Sequence, residues 1–212
     1  MSLLYKQISH FNKLAQLSIS SLEIVKNSDP ILEELSKIRE FEDRVKFADD
    51  HFERLGEGSS RTVFQMSDQL VLKVAHNDKG IAQNSAEMLP GAQRPCTNNV
   101  IVADAKGKWI VVRNNEKITK DDFEKIMGYS FKDFMGTLFS KFNNESDDWP
   151  LPKNHSEVEK SEFFKSIASL VFDNDLLLGD LDKIDSWGEI DGRVVLRDYG
   201  FSKFVHRTSY ST

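Results

Sequence analysis

The chain contains one cysteine and no long apolar run. Because Cys96 stands alone among 212 residues, an internal disulfide and a thiolate metal cage are both excluded. The five histidines are scattered, without the spacing of metal ligands. No stretch approaches the roughly 18 apolar residues of a membrane span, and the N-terminus lacks a signal-peptide core. We therefore expect a soluble, cytoplasmic protein with no membrane partner.

Positive charge is scarcer than negative charge. The 28 Lys and Arg residues are outnumbered by 34 Asp and Glu residues, which gives a formal net charge of -6. A field of this sign repels phosphate backbones and anionic membranes, so we expect no nucleic-acid partner. The length suits one domain of two small lobes and is too short for two large independent domains.

Helical spacing marks residues 1–48 as an N-terminal helical extension. Apolar residues from Leu4 to Ala15 share one face of a first helix, and those from Ile31 to Val45 share one face of a second. Asp29 can cap the second helix, and Pro30 suits its first position. We expect these helices to pack on the rest of the chain, to self-associate, or to bind a protein partner.

Short β-branched runs and turns follow, over residues 49–115. Strands are predicted at 61–66, 70–75, 100–103 and 109–113, with the glycine-rich turn Gly56-Glu57-Gly58 before them and a short helix over 81–89. Together they predict an antiparallel meander.

Residues 116–212 return mostly to helical spacing. Helices are predicted over 119–142 and 157–173, with a polar loop over 143–155 between them. A final hairpin is predicted from runs 186–190 and 193–197, joined by the turn Asp191-Gly192. The predicted fold class is therefore α+β.

Four motifs carry the candidate chemistry. The glycine-rich turn Leu55-Gly56-Glu57-Gly58-Ser59-Ser60-Arg61 is either an ordinary turn or one whose backbone amides can approach an anion. Lys73 lies in an apolar strand, where its charge is costly to bury unless a carboxylate such as Glu87 pairs with it. The alternative is an edge-strand lysine that points to solvent. The last two motifs are Leu178-Gly179-Asp180 and Asp198-Tyr199-Gly200.

The order of these motifs resembles the eukaryotic-like protein kinases and the aminoglycoside phosphotransferases over residues 50–204. The Gly-Ser-Ser-Arg form of the turn looks most like small kinase-like proteins of tailed bacteriophages. The resemblance implies a reduced two-lobed protein-kinase-like fold, with an antiparallel N-lobe sheet over 49–115 and a truncated, mostly helical C-lobe over 116–212. A phage-encoded chain would act in the host cytoplasm or in the virion.

The same resemblance implies an ATP site between the lobes. The phosphates would lie against the glycine-rich turn, at Gly56, Gly58, Ser59, Ser60 and Arg61. Lys73, oriented by Glu87, would contact the α- and β-phosphates. The adenine would bind at the connector after the strand 109–113, where the candidates are Asn114, Asn115 and Glu116.

Three carboxylates have roles implied by the resemblance. Asp180 would accept the proton of the attacking hydroxyl, and Asp198 would hold Mg²⁺ between the phosphates. Asp185 falls where kinases keep a metal-binding asparagine, and an aspartate there can still ligate Mg²⁺ through oxygen. Lys183 in the same loop suits γ-phosphate charge, or is an ordinary solvated lysine.

The chain also departs from that family. Arg61 replaces the third glycine of the loop, and a Leu-Gly pair replaces His-Arg before Asp180. Because twelve residues follow Gly200, we expect neither an activation segment nor the helices on which typical kinases bind a peptide. Three functions stay open. The first is ATP- and Mg²⁺-dependent phosphoryl transfer to a hydroxyl of a protein or small molecule. The second is a weak or inactive pseudokinase that binds a nucleotide or a partner, and the third is a purely structural role, for example in a phage particle.

Overall fold

The computed structural model describes residue 28 and residues 30–142 and 151–200. Two helices precede the sheet, α1 (residues 30–37) and α2 (Phe41–Asp49). The prediction of one continuous helix here is wrong. The Arg44 guanidinium accounts for the break, because it donates to the carbonyl oxygens of Ile38 and Arg39 and of Ala75, whereas a continuous helix would use the first two internally. The first predicted helix and Asp29 lie outside the described residues.

A five-stranded antiparallel sheet occupies the middle of the chain. Its strands are β1 (Glu53–Glu57), β2 (Arg61–Gln65), β3 (Leu70–Ala75), β4 (Val100–Ala103) and β5 (Trp109–Arg113). Their order is β1-β2-β3-β5-β4, so the predicted meander is wrong at its end, where β5 pairs with β3 and leaves β4 at the edge. The predicted strands over 70–75, 100–103 and 109–113 are confirmed. β3 lies at the centre and is buried along its whole length, so the edge-strand reading of Lys73 is wrong.

Between β3 and β4 lies α3 (Asp78–Glu87), followed by a 3-10 turn over Pro90–Ala92. The short helix predicted here is confirmed, although it begins three residues earlier than expected. Asn77 explains the earlier start, because its side-chain oxygen accepts a hydrogen bond from the Gly80 amide and caps the helix.

The second half combines helices with a small sheet. The helices are α4 (Lys120–Met127), α5 (Phe131–Phe142), α6 (His155–Lys160), α7 (Glu162–Asn174) and α8 (Leu178–Leu181), with a 3-10 turn over Ile184–Ser186. The strands are β6 (Glu116–Lys117), β7 (Trp187–Ile190) and β8 (Arg193–Leu196), in the order β6-β7-β8. The predicted hairpin is confirmed by the pairing of β7 with β8, and the α+β class is confirmed with it.

Two of the predicted helices are each divided in two. Gly128 ends α4 because it adopts a left-handed φ of 78° and donates its amide to Glu124. Ser161 is extended between α6 and α7, and its side chain caps α7 by accepting from the Phe164 amide. Apolar spacing continues across both interruptions, so the pattern does not reveal them.

The sheet half has its core under the first two helices. Leu32 and Leu35 of α1 pack with Phe64, Leu72 and Trp109 of the sheet, and all five side chains are buried. Burying each such side chain contributes about 1.5–3 kcal/mol. The expectation that the second predicted helix packs on the rest of the chain is therefore confirmed.

An aromatic core holds the helical half together. The ring centroid of Phe134 in α5 lies 5.4 Å from that of Phe123 in α4 and 5.5 Å from that of Trp187 in β7. The rings of Phe134 and Trp187 meet edge-to-face, and all three side chains are buried. Trp187 also donates its indole N–H to the Leu181 carbonyl at 2.7 Å, which ties β7 to α8. The aromatic stripes in the sequence are core, as expected. Within the described part of the chain, no helix has both the length and the apolar composition needed to cross a bilayer.

Candidate functional site

A cavity of about 710 Å³ lies between the five-stranded sheet and the helical half. All four sequence motifs contribute to its wall. Strands β1 and β2 and the turn between them contribute Gly56, Gly58, Ser59, Ser60 and Arg61, β3 contributes Lys73, α8 contributes Asp180, and the segment after β8 contributes Arg197, Asp198 and Gly200. Residues separated by more than a hundred positions in sequence are thus brought to one site.

Lys73 stands at the centre of a charged cluster on this wall. Its Nζ lies 2.8 Å from Asp198 Oδ1, 2.9 Å from the Arg197 carbonyl oxygen and 3.2 Å from Glu87 Oε2. The Lys73 side chain is 7% exposed and the Glu87 side chain is wholly buried. The predicted ion pair between Lys73 and Glu87 is confirmed, and it explains how a lysine is tolerated in a buried strand.

Arg61 is a second cation in the same cluster. Its Nη1 lies 2.7 Å from Glu87 Oε1 and 3.2 Å from Asn84 Oδ1, and its Nη2 lies 3.1 Å from Asp198 Oδ1. The Arg61 side chain is 10% exposed. We expected Arg61 to act only as part of the phosphate-covering turn. The structure instead shows that it joins the turn to α3 and to the segment after β8.

Lys73 and Arg61 favour the ionised form of the Asp198 carboxylate. Its partial desolvation acts to raise the pKa, but the positive charges of Lys73 and Arg61 outweigh that effect and hold the pKa well below its usual range. Its side chain is 54% exposed. Oδ1 accepts both cations, whereas Oδ2 has no hydrogen-bond partner among the residues that the structure describes.

Helix α3 is held in place by close backbone contacts. A Cβ on Gly80 would overlap the Ser60 carbonyl oxygen and come within 3.0 Å of Ala75, and a Cβ on Gly200 would overlap the backbone of Gln83. The Ser60 hydroxyl also donates to Gln83 Oε1 at 2.8 Å. Both glycines therefore allow the turn and the segment after β8 to touch α3 directly.

Asp180 reaches the cavity from α8. Its Oδ1 lies 2.5 Å from Lys183 Nζ, and its side chain is 31% exposed. Its carbonyl oxygen accepts from the Ser186 hydroxyl at 2.7 Å. Lys183 and Ser186 also line the cavity, so a carboxylate and an ammonium group face the ligand space together.

The wall changes character toward the connector after β5. Val71 and Lys73 are two positions apart in β3, so their side chains lie on the same face of the sheet. Val63 of β2 pairs with Lys73, so the aliphatic side chains of Val63 and Val71 lie beside the charged cluster. The connector residues Asn114 and Asn115 also line the cavity. A ligand with a charged part and an apolar part fits this arrangement.

Three predicted site residues lie off the wall. Glu87 is buried behind Lys73 and Arg61 and acts through them. Glu116 is exposed on β6, where it pairs with Glu189 of β7, and Asp185 is exposed in the 3-10 turn over Ile184–Ser186. Neither Glu116 nor Asp185 contributes to the cavity wall.

The structure adds residues that the motifs did not indicate. Gln83 and Asn84 of α3 hold Ser60 and Arg61, and together with Glu87 they form a buried polar face of the helix. Their spacing of three and four residues from Glu87 is the sequence signal that could have revealed them.

Asp198 fits a metal ion that is bound jointly by the protein and by the phosphates of a ligand. Within residues 30–142 and 151–200 no group of three or more His, Cys, Asp or Glu side chains could hold a metal ion. Mg²⁺ is often bound by one or two carboxylates together with substrate phosphates. Oδ2 of Asp198, which accepts no hydrogen bond from the described residues, fits that mode, and Asp185, away from the cavity, does not add to it.

No protein-family model matches the chain, and a search of curated proteins also finds no match. The function is therefore inferred from the cavity and its chemistry.

Proposed function

We propose that the cavity binds ATP and that the chain transfers the terminal phosphoryl group to a hydroxyl. The observation that carries this proposal is the position of Lys73, held between Glu87 and Asp198 on a wall that also contains the glycine-rich turn. An ammonium group fixed by two carboxylates is a suitable partner for phosphate oxygens.

The charge of the wall supports an anionic ligand. The chain carries a formal net charge of -6, yet the wall is rich in cations. Its cationic side chains are Arg61, Lys73, Lys117, Lys183 and Arg197, against the carboxylates of Glu57, Asp180 and Asp198. Positive charge concentrated in a cleft of an acidic protein favours an anionic ligand, and a polyphosphate is one.

The proposed fold is a reduced protein-kinase-like one, with residues 49–115 as the N-lobe and 116–212 as the C-lobe. The antiparallel sheet, the helix between β3 and β4, and the cavity at the junction with the helical half support it. Fold likeness alone does not carry the activity, which rests on the polar residues of the cavity.

In the proposed reaction Lys73 binds and orients the phosphates, while Asp198 offers Oδ2 to Mg²⁺. Mg²⁺ bound there would neutralise charge on the phosphate oxygens. Asp180 takes the proton of the attacking hydroxyl, whose oxygen forms a bond to the terminal phosphorus as the bond to the bridging oxygen breaks. The hydroxyl belongs to a protein Ser or Thr residue or to a small molecule.

A second candidate is nucleotide binding without transfer, as in a pseudokinase that acts through a protein partner or within a phage particle. The ion pairs already made by both acidic groups favour it, because Asp180 contacts Lys183 and Asp198 contacts Arg61. Each carboxylate would have to share or exchange its partner during transfer.

The proposal is tested by calorimetric titration of the chain with ATP, followed by transfer from ATP labelled in the γ-phosphate. We expect binding by the wild type and a loss of at least about tenfold in affinity for Lys73→Met, since the ammonium group is the fixed phosphate partner. Lys165→Met is the matched control, because Lys165 is an exposed lysine of α7 that pairs with Glu162. Absence of ATP binding would refute both candidates, and binding without transfer would leave the second.

A further inference from the structure

The charged cluster is balanced by protein groups alone. Two cations, Arg61 and Lys73, face two carboxylates, Glu87 and Asp198, and each cation contacts both carboxylates. Without Arg61 the same cluster would carry one excess negative charge. The phosphates of a nucleotide would then add to that negative charge, which a divalent cation could offset.

Arg61 provides its charge permanently. A guanidinium does not lose its proton in proteins, and here its pKa is raised further because the nearby carboxylates outweigh the effect of burial. Its position is also fixed, since contacts with Asn84 and Glu87 hold Nη1 while Nη2 reaches Asp198. A metal ion, by contrast, would exchange with solution.

Arg61 reaches Asp198 from the first position of β2, next to the turn. Both it and Lys73 bind the same oxygen, Oδ1, and both line the cavity. A phosphate group near the turn would therefore meet two fixed cations before it meets any metal ion.

We propose that Arg61 supplies the positive charge that a divalent cation would otherwise bring to the phosphates, so that the cavity binds a nucleoside diphosphate without metal. This inference rests on the proposed nucleotide site. It concerns ground-state binding, and phosphoryl transfer would still use Mg²⁺ at Oδ2 of Asp198.

The test is calorimetric titration with ADP, once in excess EDTA and once in excess Mg²⁺. For the wild type we expect the two dissociation constants to agree within about threefold. For Arg61→Gln we expect metal-free affinity to fall about tenfold or more, and Mg²⁺ to restore it to within about threefold of wild type. A role in structure alone would weaken binding equally in both conditions.

Further variants separate charge from folding. Arg61→Lys keeps the charge and should retain most of the metal-free affinity. Asp198→Asn removes a negative charge from the cluster, so it should leave metal-free ADP binding unchanged or strengthen it. Arg54→Gln is the matched control, because Arg54 pairs with Asp49 and Glu57 and does not line the cavity. Thermal melting of each variant establishes that it is folded at the titration temperature.

The outcomes distinguish the inference from the function on which it rests. If the wild type binds ADP or ATP with Mg²⁺ but loses more than about tenfold in affinity in EDTA, the inference is wrong and the nucleotide site stands. Equal weakening of Arg61→Gln in both conditions, or weaker metal-free binding by Asp198→Asn, would also overturn it. If the wild type binds neither nucleotide in either condition, the proposed function fails as well.

Discussion

Lys73 and Glu87 form a buried ion pair, with 3.2 Å between Nζ and Oε2, and the Glu87 side chain is wholly enclosed by protein. The second oxygen of Glu87 accepts from Arg61, so one buried carboxylate serves two cations. This relationship links β2 and β3 to α3, and it makes the site depend on the integrity of the sheet half.

Removing the Glu87 carboxylate should strongly destabilise the fold. Glu87→Ala leaves Lys73 and Arg61 with Asp198 as their remaining carboxylate partner, so we expect a loss of about 3–5 kcal/mol in the free energy of unfolding. Urea denaturation measures it. Glu34→Ala is the control, because Glu34 pairs with Lys37 on the surface, and its loss should cost at most about 1 kcal/mol. Equal effects of the two substitutions would contradict the assigned role of Glu87.

The contact between Gly80 and the glycine-rich turn gives a second prediction. A Cβ at position 80 would meet the Ser60 carbonyl oxygen and the backbone of Ala75, which a side-chain rotation cannot relieve. Gly80→Ala should therefore cost about 1–3 kcal/mol, measured by urea denaturation.

Gly91→Ala is the matched control, because nothing lies within 4 Å of a Cβ built at Gly91. That substitution should be neutral or raise stability by up to about 1 kcal/mol. A Gly80→Ala variant as stable as Gly91→Ala would show that α3 can move away from the turn at little cost.

Among the elements of the fold, three strands of the five-stranded sheet are the ones that the sequence predicts best. β3, β4 and β5 are runs of β-branched and aliphatic residues bounded by turns, and period and propensity agree along them. β6 has two residues, and β1 contains Gly56 with a register shift beside it, so neither produces a clear alternation. Helix interruptions were missed because local capping at Gly128 and Ser161 overrides a continuous apolar stripe.

In the candidate site, too, some contacts can be predicted from the sequence and others cannot. A lysine in an apolar strand is costly to bury unless a carboxylate pairs with it. The pairing of Lys73 with Glu87 could therefore be predicted from the lysine and from the carboxylate on the short helix that follows its strand. The role of Arg61 could not, because its partners lie 26 and 137 positions away and depend on how α3 and the segment after β8 pack. In the sequence, Arg61 is only the residue that replaces the third glycine of the loop. In the structure it forms a buried ion pair with Glu87.

The depressed pKa of Asp198 predicts how stability depends on pH. Because Lys73 and Arg61 favour the ionised form in the folded state, Asp198 contributes stability above the unfolded pKa of about 3.9 and loses it as pH falls toward the lower folded pKa. The difference in unfolding free energy between wild type and Asp198→Asn should be constant above about pH 5 and should shrink below about pH 4. Urea denaturation at several pH values measures this difference.

The same comparison in a Lys73→Met background isolates the cause. Lys73 lies nearer to the Asp198 carboxylate than Arg61 does, at 2.8 Å against 3.1 Å, so its removal should reduce the pH-dependent difference. An unchanged difference in that background would mean that Lys73 does not set the ionisation of Asp198.

Asp180 gives the prediction that bears most directly on transfer. As the proposed base it acts on the attacking hydroxyl and adds little to ground-state binding, so Asp180→Asn should lower transfer by ~100-fold or more and leave ATP affinity within about threefold of wild type. The transfer rate is measured with γ-labelled ATP, with the chain itself and a Ser-rich protein as acceptors. The ATP affinity is measured by calorimetry. Asp182→Asn is the control, because Asp182 is exposed just after α8 and does not line the cavity. Full transfer by Asp180→Asn would remove Asp180 from the mechanism, and a parallel loss of ATP binding would assign it to the ligand instead of the proton.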